Sequence, residues 1–146
     1  MHVSAANGGT MELIPDGLAY VHFQVLSNEL GVPKILVCPA DSKRIAATNF
    51  NNDFSNQRIS FFVGLDLVES NANTFLSGDR NLTNALGAKE QVLTLITNEP
   101  FGWNSQIHSN QGNICLADGS VQGWSTRGVR AALQATGQAT NRLAIP

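Results

Sequence analysis

The sequence predicts an α+β fold with an antiparallel sheet, and three patterns support this prediction. Apolar residues recur at helical spacing over 17–30 and again after Ser125. Between them lie runs of β-branched and aromatic residues that do not alternate strictly with helices. Near the end of the chain, Asp118-Gly119 separates two β-prone runs, as in a tight hairpin. This order of elements favours antiparallel pairing and α+β organisation.

Composition limits the classes of function open to the chain. Its 146 residues, 42% of them apolar, suffice for one domain over 1–146 with a sizeable core. The net charge of -2 provides no positive field to gather the phosphates of nucleic acid or of an anionic membrane. The longest apolar stretches fall far short of the roughly 20 residues that span a bilayer. A charged fraction of 14%, with abundant neutral polar residues, favours a location outside the cytosol.

The first predicted element is a helix near the N-terminus. Residues 1–15 read as an irregular lead-in because small residues, a Gly-Gly pair and a proline interrupt every pattern. Asp16 is a candidate N-cap, since its carboxylate can accept from the free amides of the first helical turn. The helix is predicted over 17–30, and Gly31 ends it.

A short strand and a long loop are predicted next. Residues 35–38 are apolar and β-prone, and Pro39 ends the strand or places it at an edge. The stretch 40–58 is dominated by Asn, Ser, Asp and Arg and therefore predicts a loop. Phe50 and Phe54 are its large aromatic anchors.

The middle of the chain predicts two central strands, over 59–65 and 91–97, because both stretches are rich in branched or aromatic residues. Between them, 75–77 predicts a short strand, 78–81 a turn, and 82–86 a helical turn.

A hairpin over 113–124 is the clearest local signal. A two-residue Asp118-Gly119 loop predicts a type I′ turn, in which both residues have positive φ. In that register Leu116 pairs with Val121 and Ile114 with Gly123 on the core face. The opposite face would then carry Cys115, Gln122 and Trp124.

The last predicted element is a helix of about eleven residues, close to the usual length. Ser125 offers the N-cap, and Gly137 follows the last apolar position. The residues at helical spacing are Val129, Ala132, Leu133 and Thr136.

The two cysteines, Cys38 and Cys115, are too few for a zinc site of four thiolates, so metal binding through sulfur is not expected. They are predicted to be unpaired, with a disulfide that closes a loop of about 76 residues as the alternative. Cys115 points away from the core face of the predicted hairpin, and Cys38 leads into a proline.

Three stretches resemble one protein family. His108 is followed by nine residues and then by Asp118-Gly119, within the run His-Ser-Asn-Gln-Gly-Asn-Ile-Cys-Leu-Ala-Asp-Gly-Ser-Val. That spacing resembles the C-terminal motif of prepilin-type proteins of planctomycetes and verrucomicrobia, which are similar to type II secretion pseudopilins. The stretches 34–41 and 76–81 resemble the same group. The resemblance extends from about residue 30 to the end of the chain.

The resemblance implies a pilin-like head whose antiparallel sheet packs on an N-terminal helix. It implies a structural subunit of a pseudopilus or type IV pilus-like assembly, located in the periplasm or at the cell surface. An apolar helix upstream of Val3 is expected to anchor it in the inner membrane and to contact other subunits. Secreted proteins or surface glycans are further candidate partners. A secreted carbohydrate- or protein-binding module is the alternative function.

The candidate site residues are interpreted mainly as structural. His108 is expected to fold back so that its ring meets the Asp118-Gly119 turn, with ligand or metal binding as the alternative. His22 lies within the first predicted helix and is read as a partly buried or solvated ring. No nucleophile with a nearby base is recognised, so no catalytic residues and no enzyme activity are predicted.

Two binding alternatives complete the sequence reading. Calcium is a low-ranking candidate because no acidic run like an EF-hand is present, and otherwise no cofactor or metal is predicted. The carboxylates considered are Asp41, Asp53, Asp66 and Asp79. Sugar stacking would need exposed coplanar rings, for which the candidates are Phe101, Trp103 and Trp124.

Overall fold

The structure is a computed structural model, and it describes residues 3–88 and 91–146. The α-helices are α1 (Ala19–Gln24), α2 (Ser27–Leu30) and α3 (Thr126–Ala135). The strands are β1 (Phe61–Gly64), β2 (Phe75–Asp79), β3 (Leu82–Asn84), β4 (Val92–Ile96), β5 (Phe101–Trp103), β6 (Gln111–Leu116), β7 (Val121–Ser125) and β8 (Thr140–Ala144). Short 3-10 helices are Ala5–Asn7, Met11–Asp16, Pro33–Leu36 and Asn56–Arg58.

A six-stranded sheet in the order β4-β8-β1-β2-β6-β7 forms the centre of the fold. Every neighbouring pair in it is antiparallel. β3 and β5 form a separate antiparallel pair. Helices together with an antiparallel sheet confirm the α+β class predicted from the sequence.

The large sheet buries side chains on both faces, since consecutive strand residues point in opposite directions. Phe62 and Leu143 belong to the core cluster that also contains Val129 and Leu133 of α3. Their neighbours Val63 and Ala144 belong to a second cluster. That second cluster includes Ala19 of α1, Leu36, Phe50, Phe54 and Ile59. One face of the sheet is therefore covered by α3, and the other by α1 and the loop that follows it.

The predicted helix over 17–30 is broken into α1 and α2. Gly17 has a φ of 63° and ends the preceding 3-10 helix, so Asp16 is the last residue of that helix. Asp16 is therefore not the N-cap of α1, where Leu18 occupies that position without a side-chain hydrogen bond. The predicted stop at Gly31 is confirmed, since this glycine has a φ of 72° and donates to Ser27.

The strand predicted over 35–38 is wrong. Pro33 begins a 3-10 helix that continues to Leu36. Proline suits a first helical position because its fixed φ matches and no amide donor is needed there. The predicted loop over 40–58 is confirmed except for the 3-10 turn at its end, and Phe50 and Phe54 are buried in it with ring centroids 4.9 Å apart.

The two strands predicted in the middle region form, as β1 and β4, but β4 is not central, because it lies at the edge of the six-stranded sheet. The short strand predicted over 75–77 extends to Asp79 as β2, so the turn predicted over 78–81 begins later, at Arg80. The helical turn predicted over 82–86 is wrong, because Leu82 pairs with Trp103 of β5. A partner distant in sequence thus makes this short segment a strand.

The hairpin forms as predicted, but its register differs by one residue. Cys115 pairs with Val121, and Ile114 with Gln122. Only Gly119 of the turn pair has positive φ, at 83°, so the turn is not type I′. Gly119 donates to the Leu116 carbonyl at 3.0 Å, and Leu116 donates to the Ser120 carbonyl at 2.9 Å.

This arrangement is a three-residue loop in which a glycine in αL forms a bulge. A shift of one residue moves every side chain of β7 to the other face. Trp124 therefore packs on the core, with its ring centroid 6.2 Å from that of Phe75, whereas Val121 is 64% exposed. The predicted faces of β7 were thus wrong.

The C-terminal helix is confirmed as α3, and the Ser125 side chain accepts from the Gly128 amide at its N-cap. The sequence reading did not include β5 or β8. Cys38 and Cys115 are both free thiols, as predicted. None of the helices in the described residues combines the length and apolar character needed to cross a membrane.

Candidate functional site

The three stretches that carry the family resemblance come together at one end of the large sheet. The first contributes Cys38 and Asp41, the second Asp79, Arg80 and Asn81, and the third His108 and Asn113. We call these seven residues the polar cluster. Its contacts join segments up to 70 residues apart.

Asp41 and Arg80 form a buried, two-pronged ion pair at the base of the cluster. Arg80 donates from Nε to Asp41 Oδ2 at 2.6 Å and from an Nη atom to Oδ1 at 2.8 Å. The side chain of Asp41 is 0% exposed and that of Arg80 is 9% exposed. Burial alone would raise the pKa of Asp41, but hydrogen bonds from Arg80 and Ser60, with the charge of Arg80, hold it below its ordinary value.

Asn81 fixes the loop that carries His108. Its side-chain amide lies within hydrogen-bond distance of the carbonyls of Asn104, Ile107 and Gln111, at 3.0, 2.8 and 3.1 Å. The Asn81 side chain is buried, so these bonds form away from water, where losing one is costly. One short side chain thereby fixes both ends of the loop that contains His108.

The loop backbone is strained at His108. This residue and the next two, Ser109 and Asn110, have φ values of 54°, 51° and 66°. Positive φ is unfavourable for most residues with a side chain, at about 1–3 kcal/mol for a sparsely populated conformation, although asparagine tolerates it better. The bonds from Asn81 help to hold the loop in this conformation, which directs the His108 ring towards the cluster.

Cys38, Asp79 and His108 meet at the centre of the cluster. Cys38 Sγ lies 3.3 Å from His108 Nε2, and Asp79 Oδ2 lies 3.6 Å from the same nitrogen. The donor atoms of all three lie within 4.8 Å of one another. The Asp79 side chain is 1% exposed and that of His108 is 31% exposed, so the trio is open to solvent on the histidine side.

Asp79 is held in place by β6. Its Oδ2 accepts from the backbone amide of Asn113 at 2.6 Å and from the Asn113 side chain at 3.1 Å. Gly78, just before it, allows the two strands to approach. A Cβ at Gly78 would lie 2.7 Å from the Asn113 carbonyl and 2.8 Å from the ring of Phe62.

The trio differs from a nucleophilic triad. In a Cys-His-Asp triad one ring nitrogen faces the thiol and the other faces the carboxylate. Here Cys38 and Asp79 both approach Nε2 of His108. The three groups converge on one point instead of forming a relay.

A polar groove of about 350 Å³ opens beside the trio. His108 and Asn113 line it, together with Trp124 on β7. His108, the partly exposed member of the trio, is thus the one that faces this groove.

His108 does not meet the Asp118-Gly119 turn, contrary to the sequence expectation. The two lie at opposite ends of β6, whose six residues span roughly 20 Å at about 3.3 Å per residue. Asp118 instead accepts from the Ser120 amide at 2.9 Å. His108 therefore belongs to the polar cluster, whereas Asp118 stabilises the β6–β7 turn.

The aromatic candidates for sugar stacking belong to the core. Phe101 is 3% exposed and Trp103 is 6% exposed, so neither ring presents a free face. Trp124 is half-buried against Phe75.

The carboxylates considered for calcium are engaged by protein groups. Asp53 accepts from the backbone and hydroxyl of Thr48. Asp66 pairs with Arg142 at 2.5 Å. Asp41 and Asp79 belong to the polar cluster.

His22 is buried in α1, with Nδ1 2.8 Å from the Thr10 hydroxyl, and burial lowers its pKa.

Sequence reasoning considered His108, Cys38 and Asp79 separately and did not predict that they meet. A signal for them was present, because each of the three family-like stretches contains one member of the trio. No family model, curated protein or solved structure matches this chain.

Proposed function

We propose that this protein is the globular head of a pilin-like subunit of a pseudopilus, type IV pilus-like or secretion-related assembly. It works by assembly and surface contact and not by catalysis. The resemblance of three stretches to prepilin-type proteins supports this function. The α+β architecture, with α1 packed on an antiparallel sheet, agrees with it.

An apolar groove beside α1 and α2 carries the proposal. Its volume is about 480 Å³. Its apolar lining includes Val3, Phe23, Val25, Leu26, Leu30, Val63, Leu67 and Leu76. Val25 and Leu26 are each 46% exposed. Contiguous apolar surface on a protein often marks a contact site.

The occupant that we assign to this groove is an apolar helix upstream of Val3. Val3 itself lines the groove, so a helix joined to the chain just before Val3 would lie next to the groove. The same helix would anchor the subunit in the inner membrane and place the head outside the cytoplasm. In an assembly it would contact neighbouring subunits.

Expression of the whole gene product in its native host tests the proposal. The protein is expected in the membrane fraction and in chemical cross-links with other pilin-like subunits. Leu26→Asp should reduce those cross-links because it places a charge in the apolar groove. Leu86→Asp is the matched control, since Leu86 is 88% exposed and lies outside this groove.

Leu86→Asp should keep the unfolding free energy of the head within about 0.5 kcal/mol, as surface changes usually do. Urea unfolding of Leu26→Asp shows whether its head stays folded, since Leu26 is 46% exposed. A native product that is found in the soluble fraction without subunit cross-links contradicts the proposal.

A further inference from the structure

We infer that Cys38, Asp79 and His108 form a binding site for one Zn²⁺ ion. The site goes beyond the proposed assembly role and does not depend on it. A thiolate, a carboxylate and an imidazole are the three kinds of ligand that zinc takes in proteins. The fold brings one of each within 4.8 Å of the others.

The spacing of the donor atoms fits tetrahedral coordination. Bonds of about 2.3 Å to sulfur and about 2.0–2.2 Å to nitrogen and oxygen place neighbouring ligand atoms roughly 3.3–3.6 Å apart. Cys38 Sγ lies 3.3 Å from His108 Nε2, and Asp79 Oδ2 lies 3.6 Å from it. Two of the three pairs thus already have the spacing of tetrahedral ligands, and the third pair, Cys38 Sγ and an Asp79 carboxylate oxygen, lies within 4.8 Å and would close on binding.

Charge also favours a divalent cation here. Asp79 is buried, and the basic side chain that lies against it in the described part of the chain is His108, with 3.6 Å between Nε2 and Oδ2. A buried carboxylate without a full counter-charge is unfavourable by several kcal/mol. Zinc bound by the Cys38 thiolate and the Asp79 carboxylate gives a neutral site.

The donors favour zinc over calcium and magnesium. Calcium takes about six to eight oxygen ligands and magnesium about six, so neither suits a site with sulfur and nitrogen. Thiolate with imidazole suits zinc. Binding would release the proton of Cys38.

The surroundings of the trio support a preformed site. The two hydrogen bonds from Asn113 hold Asp79 Oδ2, and Asn81 fixes the loop that carries His108. Such outer contacts orient metal ligands in proteins. The polar groove beside His108 gives solvent access on that side of the trio, as expected of open three-ligand zinc sites whose fourth ligand is water.

Cobalt substitution tests the inference directly. The reduced, metal-free protein is titrated with Co²⁺, and one equivalent is expected to produce a sulfur-to-cobalt charge-transfer band that Zn²⁺ removes. Cys115→Ser is the decisive variant, because Cys38 is then the single cysteine of the chain. It should keep the band in full. This design assigns the sulfur without altering the buried Cys38.

The other ligands are tested by His108→Ala and Asp79→Asn, each expected to weaken Co²⁺ binding at least about tenfold. Circular dichroism and melting of each metal-free variant show whether it is folded. If Asp79→Asn is unfolded, His108→Ala decides, since His108 lies in a partly exposed loop. Absence of the band in the wild type, its loss in Cys115→Ser, or unchanged affinity in folded His108→Ala would overturn the inference. None of these outcomes bears on the assembly role.

Discussion

Asp41 carries a charge that the fold cannot easily leave unpaired. Replacing it by Asn leaves the guanidinium of Arg80, 9% exposed, without its counter-ion. Breaking a buried pair in this way costs about 3–5 kcal/mol. We therefore expect Asp41→Asn to lower the unfolding free energy by about 3 kcal/mol in urea titrations at neutral pH.

Asp66→Asn provides the matched control for Asp41→Asn. Asp66 also pairs with an arginine, Arg142, but the side chains are 22% and 49% exposed. Asp66 accepts from both the side chain and the backbone amide of Arg142, but water screens this pair, so the change should cost about 1 kcal/mol, less than Asp41→Asn. Equal losses of unfolding free energy in Asp41→Asn and Asp66→Asn would show that the burial of an ion pair does not determine how much it stabilises this protein.

The effect of Asp41 should also depend on pH. Because the folded protein holds the pKa of Asp41 below its ordinary value, the ionised carboxylate stabilises the fold above the unfolded pKa of about 3.9. This contribution is lost as pH falls through the lower folded pKa. The difference between wild type and Asp41→Asn should thus be full at neutral pH and shrink in strong acid. A constant difference down to acid unfolding would assign the effect to packing.

At the scale of elements, the β6–β7 turn depends on one glycine. Gly119 has a φ of 83°, and a Cβ there would meet nothing within 4 Å. Backbone strain is therefore the whole expected penalty of Gly119→Val, about 1–2 kcal/mol. Gly119→Asn should cost less, since asparagine tolerates this conformation. Urea unfolding of both variants measures the difference, and equal losses would show that positive φ is not the cause.

The elements predicted correctly are those whose signals are local. Ser125 before a helical pattern gave α3, and Asp118-Gly119 gave the hairpin. Two of the misses have tertiary causes: Leu82 becomes a strand because Trp103 pairs with it, and β8 is recognisable only once its neighbours are in place. The strand predicted over 35–38 failed for a local reason, because Pro33 begins a 3-10 helix there. The hairpin register failed because Asp118 does not take positive φ, which a two-residue loop requires.

At the scale of the whole molecule, the polar cluster depends on contacts that sequence spacing does not reveal. Cys38 and His108 are 70 residues apart in the chain and 3.3 Å apart in the fold. The sheet brings these segments together, because β2, which ends at Asp79, and β6, which follows the His108 loop, are neighbouring strands. The sequence could indicate that three stretches belong together, but it could not show that Asp79 and His108 face the same thiol.

The sheet is completed by the last strand of the chain. β8 lies between β4 and β1, so its loss would divide the sheet into two parts. It also places Leu143 in one core cluster and Ala144 in the other. Removal of residues 138–146 should therefore abolish the cooperative thermal transition. The last element in sequence is thus expected to be required for folding of the whole head.

A point substitution tests the same idea in a folded chain. Leu143 is 1% exposed, so Leu143→Ala should cost about 2–5 kcal/mol through lost burial and the cavity that remains. Thr140→Ala, at the exposed start of β8, should stay within about 0.5 kcal/mol. Thermal melts of the two variants and of the truncated chain form the comparison. Removal of an interior strand exposes two unpaired edges, here on β1 and β4, which is why the truncated chain is expected to lose its cooperative transition. A cooperative melt of the truncated chain near the wild-type temperature would show instead that β1 and β4 do not need β8.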